Sequence, residues 1–240
     1  MAERTFVLLH GAFHGGWCWT RVAGELGRRG HRVFTPTQTG LGERRHLLSP
    51  AVTLETFIDD LVNVLEFEEL EEAVLVGHSF AGPVITGAAD RVPERIRQLV
   101  YLDSGVIGDG EAPFDFLPPA VVAARTREAR ETSGGLSIPA PPPRAFGVPD
   151  GPDAEWVARH LTPHPFATFT DRLLLANPPG NGLRRTYLCC TEPVYAPLEA
   201  ARQRVKGEPG WEWREIATGH DAMVTMPETL ARMLVEIAGS

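Results

Sequence analysis

Six short runs of apolar and β-branched residues, separated by segments of helical pattern, constrain the fold of this chain more than any other feature. Strands that alternate with helices form a mostly parallel sheet whose two faces are covered by the helices. The chain is therefore predicted to be an α/β protein. The predicted strands are "TFVLLH" (5–10), "HRVFTP" (31–36), "AVLVG" (73–77), "IRQLVYLD" (96–103), "RTYLCCT" (185–191) and "WEWREI" (211–216).

Two helices are marked by their spacing of apolar residues. One begins after Thr53, a good N-cap, and carries an apolar face from Leu54 to Leu65 at offsets of three and four residues. The last helix begins at Pro227, a residue that the first helical turn accepts, and runs to about Ala238. Both segments are predicted to pack on the sheet.

The stretch 105–182 interrupts this alternation. It has no clear alternating strand, and it contains the turn-rich segments "PAPPP" (139–143) and "NPPGNG" (177–182) around helical pieces. We predict a core of residues 1–104 and 183–240 with a lid, 105–182, inserted between two strands. The lid's apolar residues either line a ligand pocket or close a small core of their own. They are Phe114, Phe116, Leu117, Trp156, Phe166 and Phe169.

Charge and length exclude several classes of partner. The formal net charge is −8 and no long basic run occurs, which argues against a nucleic-acid partner. The apolar run near the N-terminus ends at His10-Gly11 and is too short for a signal peptide or a membrane span. These features predict a cytoplasmic protein with no membrane partner.

The cysteines do not indicate a metal or redox site. There are three of them, an odd number, which argues against a disulfide framework. Cys189 and Cys190 are adjacent on a predicted strand, so their side chains point to opposite faces of the sheet and do not share a metal. We predict that both pack in the core, and we expect no metal and no cofactor.

The segment "AVLVGHSFAGPVITGAA" (73–89) has the strand–turn–helix context of a nucleophile elbow. Ser79 stands in its Gly-x-Ser, with Ala81 where a glycine is usual. A sharp turn between the strand and the helix places this hydroxyl at the carboxyl edge of the sheet. A second Gly-x-Ser at 135–137 lies in a proline-rich stretch and lacks this context. Ser79 is the predicted nucleophile.

A serine needs a base to take its proton, and the base needs a carboxylate to orient it. His220 follows the last predicted strand and precedes the last helix, at the edge where Ser79 lies, so it is the predicted base. Two carboxylates end strands at that edge. They are Glu192, after the fifth run, and Asp103, after the fourth.

The negative oxygen of an acyl-transfer intermediate needs backbone N–H donors. One is expected from Phe80, directly after the nucleophile, and one from the glycine-rich loop 8–19, "LLHGAFHGGWCW", through Ala12 or Phe13. This loop lacks the lysine and glycine spacing of a phosphate-binding loop.

The motifs "HGAFHGGWCW", "VGHSFAG", "LVYLD", "YLCCTEP" and "ATGHDAM" follow one another as they do in the α/β-hydrolase superfamily. The chain resembles the branch that holds plant methylesterases, hydroxynitrile lyases and bacterial pyrethroid-hydrolase-like carboxylesterases. The resemblance implies an eight-stranded sheet and a cofactor-free serine hydrolase mechanism. It also implies Ser79 and His220 as nucleophile and base, with Ala12 and Phe80 as oxyanion donors.

One departure from the branch concerns the orienting acid. Plant methylesterases carry Cys-Thr-Glu-Asp with a catalytic Asp, whereas this chain has Pro193 at that position. Glu192 keeps the separation from His220 that is typical of the branch, so we favour Glu192, with Asp103 as the alternative. Hydroxynitrile lyases of the branch carry a Lys beside the catalytic His, and here that neighbour is Asp221, which argues against cyanohydrin cleavage.

The predicted function is hydrolysis of small to medium apolar carboxylic esters through an acyl-enzyme. A lactonase with the same triad and a non-catalytic binding protein on the same fold are the alternatives. The partner is thus expected to be a small-molecule ester. The residues predicted to bind it are Phe13, His14, Phe116, Trp156 and Phe166.

Overall fold

The computed structural model describes residues 2–239. Each of the six predicted runs forms a strand. Two further strands of two residues each lie between the fourth and fifth of them. In chain order the strands are β1 (Thr5–Leu9), β2 (Arg32–Phe34), β3 (Ala73–His78), β4 (Ile96–Leu102), β5 (Ser137–Ile138), β6 (His164–Pro165), β7 (Arg184–Cys190) and β8 (Trp211–Ile216).

The main sheet has the strand order β2-β1-β3-β4-β7-β8, and every neighbouring pair in it is parallel. The expected eight-stranded sheet is wrong, because within residues 2–239 this sheet has six strands. The two short strands, β5 and β6, pair antiparallel with each other and do not extend it. In a parallel sheet the carboxyl ends of the strands form one edge, so β3, β4 and β7 end side by side.

Helices cover both faces of the sheet, as the alternating pattern predicts. In β1, Val7 and Leu9 face a core with the helices 54–67 and 81–91, whereas Phe6 and Leu8 face a core with the helices 20–28 and 227–239. A fully buried side chain of this size stabilises the fold by about 1.5–3 kcal/mol. The helices are α1 (Thr20–Arg28), α2 (Leu54–Phe67), α3 (Ala81–Arg91), α4 (Pro119–Ser133), α5 (Pro152–His160), α6 (Ala167–Thr170), α7 (Glu199–Gly207), α8 (Ala222–Thr225) and α9 (Pro227–Gly239).

The two helices predicted from apolar spacing are both confirmed. Helix α2 begins where Thr53 caps it, because the Thr53 hydroxyl accepts from the Thr56 amide and the Thr56 hydroxyl accepts from the Thr53 amide. Helix α9 begins at Pro227. Within residues 2–239, no helix is both long enough and apolar enough to cross a membrane.

Cys189 and Cys190 lie on opposite faces of β7, as predicted. Cys189 belongs to the core on the α2 and α3 side, and Cys190 belongs to the core on the α1 and α9 side. Both thiols are buried and free, and burial raises the pKa of Cys189 to about 11. A thiol with so high a pKa stays protonated and packs as a small apolar group.

The segment 105–182, between β4 and β7, holds α4, α5, α6 and the β5–β6 pair. Its aromatic residues partly form a core of their own, since the Phe114 and Phe169 rings stack at 4.9 Å. Phe169 also contacts Phe80, next to the predicted nucleophile, with ring centroids 4.8 Å apart. The segment is therefore packed directly against the carboxyl edge of the sheet.

Candidate active site

Ser79 lies in the turn between β3 and α3, and its backbone has a φ of +54°. A non-glycine residue in this left-handed region is strained, and surrounding contacts must hold it there. The Ser79 carbonyl accepts from the Gly105 amide at 2.9 Å and from the Ser104 hydroxyl at 2.7 Å. Gly82 permits this approach, because a Cβ at that position would lie 1.9 Å from the Gly105 oxygen. The segment is thus a sharp nucleophile elbow, as its sequence predicts.

A chain of hydrogen bonds runs from a buried carboxylate to the Ser79 hydroxyl. Ser79 Oγ lies 2.8 Å from His220 Nε2, and His220 Nδ1 lies 2.7 Å from Asp103 Oδ2. Asp103 is fully buried and His220 almost so. Because the carboxylate accepts from Nδ1–H, Nε2 is left free to accept the serine proton.

The preference for Glu192 as the orienting acid is wrong, because the structure places Asp103 against His220. The Thr191 amide donates to the carbonyl of the last residue of β8, and the Glu192 amide donates to a carbonyl two residues further on, at 3.0 Å each. This leaves the Glu192 side chain exposed to solvent. Asp103, by contrast, turns inward at the end of β4 with a φ of +37°.

Arg202, on α7, lies behind Asp103. Its side chain is buried, and its Nη1 lies 3.6 Å from Asp103 Oδ1, an oxygen with no hydrogen bond among the described residues. The remaining guanidinium nitrogens donate to Glu199 Oε2 and to the Tyr195 carbonyl. A buried cation thus balances the buried carboxylate, at a distance longer than a direct hydrogen bond.

A second buried ion pair lies beside the triad. His14 Nε2 donates to Asp221 Oδ2 at 3.0 Å, and His14 Nδ1 donates to the Ala12 carbonyl at 2.8 Å. Burial opposes protonation of His14, yet the Asp221 carboxylate raises the pKa of His14 above its ordinary value. His78 lies under the elbow, where its Nε2 donates to the His220 carbonyl at 3.0 Å and burial lowers its pKa well below the usual range.

His10 orients one of the predicted oxyanion donors. Its Nε2 accepts from the Gln38 amide at 3.1 Å, so its proton is on Nδ1, which donates to the Gly11 carbonyl at 2.9 Å. Burial lowers the pKa of His10 to about 3 and keeps it in this neutral form. Because the Gly11 carbonyl and the Ala12 N–H belong to one planar peptide, fixing the first fixes the second.

The Phe13 amide is not available to an oxyanion. It donates to His164 Nδ1 at 3.3 Å, which also holds the residue at its φ of 70°. By contrast, the amides of Ala12 and Phe80 have no hydrogen-bond acceptor within residues 2–239. Both N–H groups are thus available, and their role as oxyanion donors stays a prediction.

A cavity of about 80 Å³ lies against Ser79 and His220. Three of the five predicted substrate-binding residues line it, namely Phe13, His14 and Phe116. The prediction of Trp156 and Phe166 is wrong, because each packs elsewhere. The Trp156 ring lies 5.0 Å from that of Trp17 and beneath Arg21, and the Phe166 ring lies against Phe114.

Among the side chains at the cavity that were not predicted from the sequence are two aromatic rings and one arginine. The Tyr195 ring stacks on the His220 ring with centroids 4.0 Å apart, and Phe146 lies nearly parallel to His220 at 6.3 Å. Arg125, on α4, also lines the cavity. The sequence could have indicated Tyr195, since it follows β7 at the edge that carries Ser79. It could not have indicated Phe146 and Arg125, because the inserted segment lacks a periodic pattern.

A parallel sheet with a strained serine at the carboxyl end of its third strand, hydrogen-bonded to a histidine after its last strand, defines the class of α/β proteins with a nucleophile elbow. Comparison with known proteins agrees. The model of the Alpha/beta hydrolase family matches residues 6–233. The chain belongs to the alpha/beta hydrolase family.

Two known proteins and one solved structure are similar to this chain over almost its whole length. A carbendazim hydrolyzing esterase from Nocardioides sp. (strain SG-4G) is 40% identical over 240 residues, which cover 97% of this chain and 98% of the relative. Methylesterase 7 from Arabidopsis thaliana is 26% identical over 98% of this chain and 96% of its own. The solved structure of an extracellular alpha/beta-hydrolase from a Paenibacillus species superposes with a TM-score of 0.85 at 26% identity, covering 97% of this chain and 98% of that one.

Proposed function

We propose that this protein hydrolyses carboxylic esters of small to medium apolar substrates through an acyl-enzyme. The hydrogen-bonded chain from Asp103 through His220 to Ser79, which ends at an apolar cavity, is the observation that carries the proposal. The family and the relatives named as esterases support it.

The geometry supports a two-step reaction. Ser79 Oγ attacks the ester carbonyl while His220 Nε2 takes its proton, and the Asp103 carboxylate stabilises the imidazolium that forms. The Ala12 and Phe80 N–H groups hold the oxyanion. His220 returns the proton to the departing alcohol. Water then attacks the acyl-serine with His220 as base, which releases the acid and restores Ser79.

The inserted segment 105–182 completes the cavity in this proposal and acts as its lid. Phe116 and Phe169, from that segment, line the same cavity as Ser79 and Phe80 from the core. Apolar walls exclude water from the reacting carbonyl and strengthen the oxyanion interactions. A cytoplasmic location is part of the proposal.

The direct test is hydrolysis of p-nitrophenyl acetate and p-nitrophenyl butyrate by the pure protein, together with covalent labelling by a fluorophosphonate. We expect turnover of both esters and a label on Ser79. Ser79→Ala is the matched control and should lose the label and at least about 10⁴-fold in kcat. Binding of the esters without turnover or label would make the protein a binding module and overturn the proposal.

Carbendazim is a second substrate to test, because the relative that is 40% identical is named for its hydrolysis. The assay follows loss of carbendazim in the presence of the wild-type protein and of Ser79→Ala. Hydrolysis by the wild type alone would extend the proposed chemistry to that compound.

A further inference from the structure

The cavity beside Ser79 has a second polar region, in addition to Ser79 and its neighbouring histidines. Apart from Ser79 and the three histidines around it, the residues that line it are apolar or glycine with two exceptions, Arg125 and Tyr195. Arg125 comes from α4 in the inserted segment, and Tyr195 comes from the loop after β7. Two separate elements therefore bring hydrogen-bonding groups into an otherwise apolar space.

Arg125 is held in place without a counter-ion. Its guanidinium lies over the Phe169 ring, 5.2 Å from the ring centre, and its side chain is half-buried. No carboxylate within residues 2–239 lies at ion-pair distance from it, whereas most other arginines that are half-buried or deeper, such as Arg44 and Arg204, have such a partner. A guanidinium has five N–H donors, and a ring face does not satisfy them.

Tyr195 adds a neutral hydrogen-bond donor to the same polar region. Burial raises the pKa of the Tyr195 hydroxyl, and the facing Arg125 guanidinium opposes that rise. The phenol therefore stays protonated at neutral pH. Because the Arg125 guanidinium interacts with its oxygen, its O–H group can donate to a ligand.

From this arrangement we propose that Arg125 and Tyr195 form an anion subsite, so that the preferred substrates are esters that carry a carboxylate on an otherwise apolar body. The inference rests on the proposed esterase function and names its substrate class. A carboxylate accepts from both donors in a low-dielectric site, where charge-assisted hydrogen bonds are strongest.

The stacking of Tyr195 on His220 limits how far the carboxylate of such a substrate can lie from its ester carbonyl. With ring centroids 4.0 Å apart, the Tyr195 hydroxyl lies within a few bond lengths of the base. The carboxylate and the ester carbonyl are then separated by a short chain or one ring. Hemi-esters of short dicarboxylic acids and carboxyphenyl esters meet this requirement.

Two matched pairs of esters test the subsite. On the acyl side, mono-p-nitrophenyl glutarate is compared with p-nitrophenyl 5-methylhexanoate, in which an isopropyl group replaces the carboxylate. On the alcohol side, 4-acetoxybenzoate is compared with 4-isopropylphenyl acetate. Ser79→Ala measures the spontaneous hydrolysis that the neighbouring carboxylate promotes, and this rate is subtracted.

The measured quantity is the ratio of kcat/KM for the anionic ester to that for its neutral partner. In at least one pair, Arg125→Met should lower this ratio by about 10- to 100-fold, the range expected for a charge-assisted hydrogen bond. Arg125→Lys should restore part of it, and Tyr195→Phe should lower it by a smaller factor. Arg127→Met is the matched control, because Arg127 is an exposed arginine on the same helix and does not line the cavity.

A ratio that changes by less than about twofold in Arg125→Met for both pairs would overturn the anion subsite while leaving the esterase proposal intact. An equal fall in Arg127→Met would also overturn it, since the effect would then be one of general surface charge. If the wild type hydrolyses none of the four esters, the proposed function itself fails, so the two failures are distinct.

Discussion

Asp103 Oδ2 lies 2.7 Å from His220 Nδ1, while the Glu192 side chain, nearer to His220 in the chain, is exposed to solvent. Asp103→Asn should therefore lower kcat for p-nitrophenyl butyrate by roughly 10⁴-fold, because the amide stabilises the wrong imidazole tautomer. Glu192→Gln should leave kcat within about twofold. The reverse ranking of the two variants would return the orienting role to Glu192.

Arg202 is expected to position Asp103, since its Nη1 is 3.6 Å from Asp103 Oδ1 and both groups are buried. Arg202→Met removes the cation that balances this carboxylate and loosens the carboxylate that orients His220. We expect kcat to fall about 10-fold with little change in KM.

Partial recovery of kcat in Arg202→Lys would separate this charge effect from a loss of packing. Lys206→Met, which removes an exposed cation from the same helix, is the control. A fall in thermal stability with unchanged kcat would show that Arg202 acts only on the fold.

The juxtaposition of Ser79 and His220 could be predicted from the sequence because their signals are local. Ser79 stands between a buried strand and a small-residue helix, and His220 stands between the last strand and the last helix. The acid could not be chosen this way, because Asp103 and Glu192 both follow strands that end at one edge. The choice depends on side-chain direction. This is set by a positive φ at Asp103 and by backbone bonds that tie Glu192 to the residues after β8.

The inserted segment shows the same limit for packing. Phe116 lines the cavity while Phe166, in the same inserted segment, lies against Phe114. Neither residue belongs to a repeat of apolar positions that would assign it to one face. Which surface such an aromatic side chain covers is decided by the elements that meet in three dimensions.

Acid should destabilise this protein through its buried neutral histidines. Burial lowers the pKa of His10 to about 3 and the pKa of His78 and His164 well below the ordinary histidine value of 6.5. Below about pH 6.5 the unfolded chain therefore binds more protons than the folded one, and the free energy of unfolding falls as pH decreases. Each such histidine contributes up to about 1.4 kcal/mol per pH unit. His14, whose pKa is raised, acts in the opposite direction but is a single group.

The test for this pH dependence is urea unfolding at pH 7.5 and pH 5.5 for the wild type and for His164→Asn. The asparagine oxygen can still accept from the Phe13 amide, as His164 Nδ1 does, but the side chain no longer titrates. The variant should lose less stability between the two pH values than the wild type. Equal losses would mean that His164 is not among the groups responsible.

The close approach at the elbow predicts opposite outcomes for two glycine-to-alanine substitutions. A Cβ at Gly82, in α3, would lie 1.9 Å from the backbone oxygen of Gly105, so Gly82→Ala must displace the segment that holds the Ser79 carbonyl. We expect it to destabilise the protein by about 3 kcal/mol and to abolish fluorophosphonate labelling. Gly24, in α1, has nothing within 4 Å of such a Cβ, and Gly24→Ala should stabilise the fold by about 0.5–1 kcal/mol through helix propensity. Chemical denaturation of both variants checks the pair, and a Gly82→Ala protein with wild-type stability and labelling would contradict the elbow packing.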